Sequence, residues 1–194
     1  MAGLFFLPPQ FAKSQKRGLK MPSTNEAIGA VVRLGFDPGR AKAVARSLTD
    51  AGTLPSGGPG KSPALDIRHF IDLLIGVAID APLRLVPAAV RGYRALTPGG
   101  ADLTNAPGSI DTAGMALEIW AAIAVHGDAD VLRWDRIEIV SSWSEISIHT
   151  PDGIRRFVPV GSNASHWQAS GHRKSTTLNG AALVEAIREL FTKE

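Results

Sequence analysis

The stretch from Asp37 to Gly52, DPGRAKAVARSLTDAG, constrains the fold more than any other because both of its ends are signalled. Asp37 can accept the free amides of a first helical turn, Pro38 suits the first helical position, and Gly52 can take the left-handed conformation that ends a helix. Between them Ala41, Val44, Ala45, Leu48 and Ala51 recur at helical spacing, while Arg40, Lys42, Arg46 and Thr49 fall on the remaining surface. One side packs and the other is basic. Upstream, Ser23-Thr24-Asn25-Glu26 has capping-box spacing, and Ile28, Val31, Val32 and Leu34 carry an apolar stripe up to Gly35. Two short helices therefore meet across Gly35-Phe36.

Charge is distributed unevenly around this pair. The 194-residue chain carries a net +3, yet up to Thr97 there are 13 Lys/Arg against 6 Asp/Glu, a balance of +7, and from Pro98 onward the balance is −4. Concentrated positive charge attracts phosphate backbones, whereas an acidic half is repelled, so a polyanion belongs on the N-terminal half. A basic half that merely aids solubility is the plainer alternative. A hydrophobic content of 44% supplies a core, and the absence of cysteine removes disulfides and thiolate metal sites, pointing to a cytoplasmic protein. Leu4-Phe5-Phe6-Leu7 stops at Pro8-Pro9 with its basic residues after it, and no later apolar run reaches the ~18 residues of a bilayer span. Neither a signal peptide nor membrane binding is expected.

Along the chain, residues 1–20 read as a flexible basic arm or an over-long gene start, with Lys16 and Arg17 among four positive charges. Residues 52–63 form a glycine- and proline-rich loop. Asp66 caps an apolar helix from about 67 to 78, and a further helix runs from 86 to 96. The turn formers of 98–108 mark a linker, which divides the chain into a helical domain over 21–97 and a second domain over 109–194. In the second, Ser109 caps a helix to about His126. Residues 136–139, 145–149 and 154–160 alternate as an antiparallel meander, 175–178 add a short strand, and Asn179 caps a last helix. The fold class is α+β.

Chemistry-bearing motifs are few. Gly60-Lys61-Ser62 imitates the end of a phosphate-binding loop, but Pro55 stands where an earlier glycine is required, a helix precedes and Pro63 follows. Nucleotide hydrolysis is not expected from it; the loop reads as a wing that lays Lys61 on a DNA backbone, or as a plain surface loop. His69, His126, His149, His166 and His172 match no zinc spacing, and no serine sits in a Gly-x-Ser-x-Gly elbow, so neither a metal, a cofactor nor a hydrolase mechanism is expected. A cleft gathering His166, His172 and a carboxylate would be needed to make an enzyme. Arg40, Lys42, Arg46, Ser47 and Thr49 give the 38–51 helix the chemistry to meet phosphates and guanine edges, with Arg40, Lys42 and Arg46 expected exposed; a solvated helix face has the same composition. Trp120 suits a core, while Trp143 and Trp167, beside polar residues, suit a partner or self-association surface.

The run from Asn25 to Ile79, with two helices, an Ala51-Gly52-Thr53-Leu54-Pro55 step, a glycine-rich loop and then an apolar helix, resembles the helix-turn-helix segments of small prophage and mobile-element DNA-binding proteins. It is also loosely similar to the winged variants of bacterial regulators. The resemblance covers the first half only. It implies double-stranded DNA recognition, as a dimer, by the 38–51 helix, in a regulator or packaging-type factor. The alternative class is an interaction or inhibitor protein acting through the C-terminal half.

Overall fold

The computed structural model describes residues 20–58, 63–106, 111–163 and 171–192. Helices come first and a sheet follows, an α+β arrangement as the patterning predicts. The helices are α1 (Thr24–Arg33), α2 (Pro38–Asp50), α3 (Ile67–Ala78), α4 (Val86–Arg94), α5 (Ala113–His126) and α6 (Gly180–Phe191). The strands are β1 (Thr97–Pro98), β2 (Arg136–Val140), β3 (Glu145–Thr150), β4 (Gly153–Val158) and β5 (Ser175–Asn179), all antiparallel in the order β1-β4-β3-β2-β5.

Local chemistry explains the ends. The Ser23 hydroxyl accepts from the Glu26 amide at 3.3 Å while the Glu26 carboxylate accepts from the Ser23 amide at 2.7 Å, a complete capping box. The Asp37 carboxylate accepts from the Arg40 amide at 2.7 Å, and Gly35 and Gly52 take φ of 96° and 70°, where a side chain would strain the backbone. Asp66 and Asn179 cap α3 and α6 as expected. The expected cap at Ser109 lies outside the described residues; α5 is instead capped by Thr112, and α4 stops at Arg94, two residues short of the expected end.

The inner face of the sheet presents Ile137, Ile139, Ile146, Ile148, Phe157 and Leu178 to the helices, and these join the side chains of all six helices in a single buried cluster. The turn formers of 98–108 therefore mark a change of sequence character and not a gap in the core. Thr97-Pro98 pairs with β4 as an edge strand, and the Gly99 amide donates to Arg156 O at 2.8 Å. Phe70 of α3 meets Phe191 of α6 edge to face with ring centroids 6.0 Å apart, and α6 also packs on α1. Trp120 is buried as expected, its indole N–H donating to the buried Asp135 at 2.8 Å.

The start of α6 is a tight joint in this arrangement. A Cβ on Gly180 would stand 2.3 Å from Leu132 O and 2.5 Å from Asp135 O, both backbone atoms that cannot rotate away. Gly180→Ala is expected to cost roughly 3 kcal/mol through overpacking, measurable by urea denaturation.

Candidate functional site

Three polar regions stand out: the basic side of α2, the outer face of the sheet, and a cleft between α3, α4 and the sheet edge. On α2, burial of Ala41, Val44, Ala45 and Leu48 turns Lys42 and Arg46 outward. Lys42 is exposed, and the Arg46 side chain is 85% exposed, 3.8 Å from Asp50 one turn on, a contact too long and too wet to hold it. Together with Arg84, from the 3-10 turn Leu83–Leu85, they line an open groove of about 820 Å³ whose only carboxylate among the described residues is Asp50.

The remaining α2 candidates are committed inward. Arg40, expected exposed, is half-buried: its Nη2 donates to Ala81 O at 2.6 Å and its buried Nε has no hydrogen-bond partner among the described residues. Ser47 donates to Leu83 O at 2.8 Å, and Thr49 donates to Ala45 O of its own helix at 2.9 Å. The Arg40 and Ser47 bonds fasten the 81–83 segment against α2, which is what carries Arg84 to the groove. Lys16, Arg17 and Lys61 lie outside the described residues. The loop starts against the end of α2, where the Thr53 amide donates to Leu48 O at 2.8 Å, and the segment that follows it returns to the start of α1, where the Leu65 amide donates to Pro22 O at 2.7 Å.

On the outer face of the sheet, β2 and β3 place Glu138 and Glu145 beneath Arg173. Glu138 receives Arg173 in a fork at 3.0 and 2.9 Å, and His149 Nε2 lies 3.4 Å from it. Glu145 is 1% exposed and accepts from Ser147 at 2.8 Å, Arg173 at 3.2 Å, Arg156 at 3.4 Å and the Trp143 indole at 2.8 Å. The Arg173 guanidinium also lies 5.1 Å over the Trp143 ring. Each carboxylate faces an arginine and accepts several hydrogen bonds, so the cluster braces the sheet. Trp143, read from sequence as a partner surface, is half-buried in this brace, and Trp167 lies outside the described residues.

The Arg173 hydrogen bonds hold the Glu138 carboxyl down at about 2 against the opposing effect of burial. A lowered folded value means that the stabilisation is fully present above the unfolded pKa, ~4.3, and is lost as pH falls toward the folded one. Glu138→Gln is expected to lower stability at pH 7 by roughly 2 kcal/mol. Denaturant titrations should show the difference from the parent protein shrinking steadily below pH ~4.3.

Of the histidines, His172 lines the cleft together with Asp80, while His166 lies outside the described residues. Among the described residues no group of three or more His, Asp or Glu side chains converges to hold a metal ion. No helix among them is long and apolar enough to cross a membrane. Compared with protein-family models, curated protein sequences and solved structures, the chain matches none.

Proposed function

We propose that the protein binds double-stranded DNA, with Lys42 and Arg46 of α2 and Arg84 of the adjoining 3-10 turn contacting phosphates. The observation that supports this reading is that three cations from two elements line one open groove with a single opposing carboxylate. The charge split supports it too, since the acidic residues concentrate in the other half. Arg40 and Ser47 act as positioning residues that hold α2 and the 81–84 segment together, while Thr49 is bonded within its own helix; none of the three reaches the DNA.

Phosphate contacts displace condensed counterions, so three of them set a slope of log affinity against log salt near −2.7. Between 50 and 200 mM salt the affinity for a random duplex is expected to fall roughly 40-fold. Fluorescence anisotropy of a labelled duplex at the two ionic strengths measures it, and a flat response overturns the proposal.

A second reading, docking of a protein partner on the C-terminal half, is favoured by Trp134. This indole is 79% exposed, next to the 57% exposed Val131 in the 3-10 segment Ala129–Trp134. Exposed tryptophan is a common anchor of interfaces.

A further inference from the structure

On the far side of the 81–84 segment from the groove lies a separate cleft of about 560 Å³, within the size range of small-molecule sites. Its two walls differ in chemistry. Ile79, Pro82 and Ala89 make the helical wall apolar, whereas Ser141, Ser144, His172 and Lys174 line the sheet wall, the Ser141 hydroxyl donating to Lys174 O at 3.3 Å. The Tyr93 phenol donates to Val140 O at 2.5 Å, and burial pushes its pKa up to about 12, so it stays a neutral part of the lining.

The polar wall is fixed through its backbone. The Ser141 amide donates to Lys174 O at 2.8 Å, and the Lys174 amide donates to the Ser142 hydroxyl at 3.0 Å. The Lys174 ammonium is not fixed in this way: it reaches out to the Asp80 carboxylate at 2.7 Å, with the two side chains 63% and 60% exposed. Ion pairs this wet are worth ~0–1 kcal/mol and exchange readily for another anion.

Asp80 itself is held unusually. It ends α3 with φ of 51°, and it is the only non-glycine with positive φ among the described residues. Aspartate and asparagine tolerate this conformation better than most residues, but strain of this kind concentrates at ligand sites. Its carboxylate crosses to the Lys174 ammonium, the cation of the opposite wall.

We propose that the cleft binds a small molecule through an oxyanion head group, carboxylate or phosphate, which replaces the Asp80 carboxylate on Lys174 while the apolar body lies against Ile79, Pro82 and Ala89. The site is independent of the DNA-binding reading and is tested without DNA.

The test is a titration of the full-length, nitrogen-15-labelled protein at constant ionic strength, with inorganic phosphate in one arm and isobutyrate in the other. Saturable amide shifts at Ser141, Ser144, His172 and Lys174 are expected with at least one probe; isobutyrate alone identifies a carboxylate ligand, phosphate alone a phosphate ester, and both the shared head-group chemistry. Lys174→Met is expected to weaken binding at least ~10-fold, as loss of a charged hydrogen-bond partner does. Asp80→Asn keeps a residue suited to the left-handed backbone while removing the competing charge, and is expected to tighten binding up to about fivefold. A purely structural ion pair predicts no such gain. Absence of saturable shifts with both probes overturns the proposal, as does Asp80→Asn weakening the binding that is seen.

Discussion

Replacing Lys42, Arg46 and Arg84 together by glutamate is expected to lower affinity for duplex DNA by more than about 10²-fold at low salt, and to bring the salt slope from near −2.7 to near zero. Each substitution removes one phosphate contact and adds a charge that repels the backbone. None of the three side chains is buried, and among the described residues only Arg46 has an ion-pair partner, the exposed Asp50 at 3.8 Å. Thermal unfolding should therefore stay near that of the parent protein. Arg40→Ala provides the contrast, since it strips the donor from Ala81 O and is expected to lower stability first and DNA affinity only as a consequence. An unchanged salt slope in the triple variant would remove the groove from the binding surface, whatever the affinity did.

The ends of the helices were legible because caps are local. Asp37, Asp66 and Asn179 satisfy amides three residues away, and short spacing is what a linear reading sees. The sides of α2 were legible for the same reason, from the recurrence of Ala41, Val44, Ala45 and Leu48. Which of its cations stay outward was not, because that depends on partners far along the chain: Arg40 is drawn in by Ala81 and Ser47 by Leu83. Arg84 went unread because it stands in a non-periodic stretch beside Pro82, and only the fold brings it beside α2. The alternation in β2 and β3 gave the sheet its two faces, and Glu138 falls on the outer one. Nothing in that alternation tells that Arg173, 35 residues later, closes over it. The helix at α5 was likewise readable, but its sequence is apolar on nearly every side, so the exposure of Met115 and Ile119 had no signal to announce it.

Arg94→Met is expected to be the most damaging single change to stability, about 3–5 kcal/mol at neutral pH, because it leaves a buried charge without a partner. Asp72 sits in α3 at 2% exposure, and its carboxylate accepts from Arg94 Nη1 at 2.8 Å; Arg94 Nη2 also donates to Glu118 of α5. One guanidinium thus ties α3, α4 and α5 together, and Gly114 leaves room for it, since a Cβ there would lie 3.0 Å from the Arg94 side chain. Burial pushes the Asp72 carboxyl above the usual carboxylate range even though Arg94 pulls the other way. A raised folded value means that the native state keeps the proton above pH ~3.9 while the unfolded chain releases it, so stability falls as pH rises through that window. Removing Arg94 takes away the opposing pull and raises the folded value further. The deficit of the variant is therefore expected to narrow as pH falls from 7 toward ~3, below the ~3.9 of the unfolded chain, where Asp72 is largely neutral in both states. Urea denaturation at the two pH values measures this, and a deficit independent of pH would assign the loss to packing of the Arg94 stem. Adding Asp72→Leu to Arg94→Met should recover most of the stability at pH 7, because the buried charge is then gone and Glu118, a third exposed, is left to water.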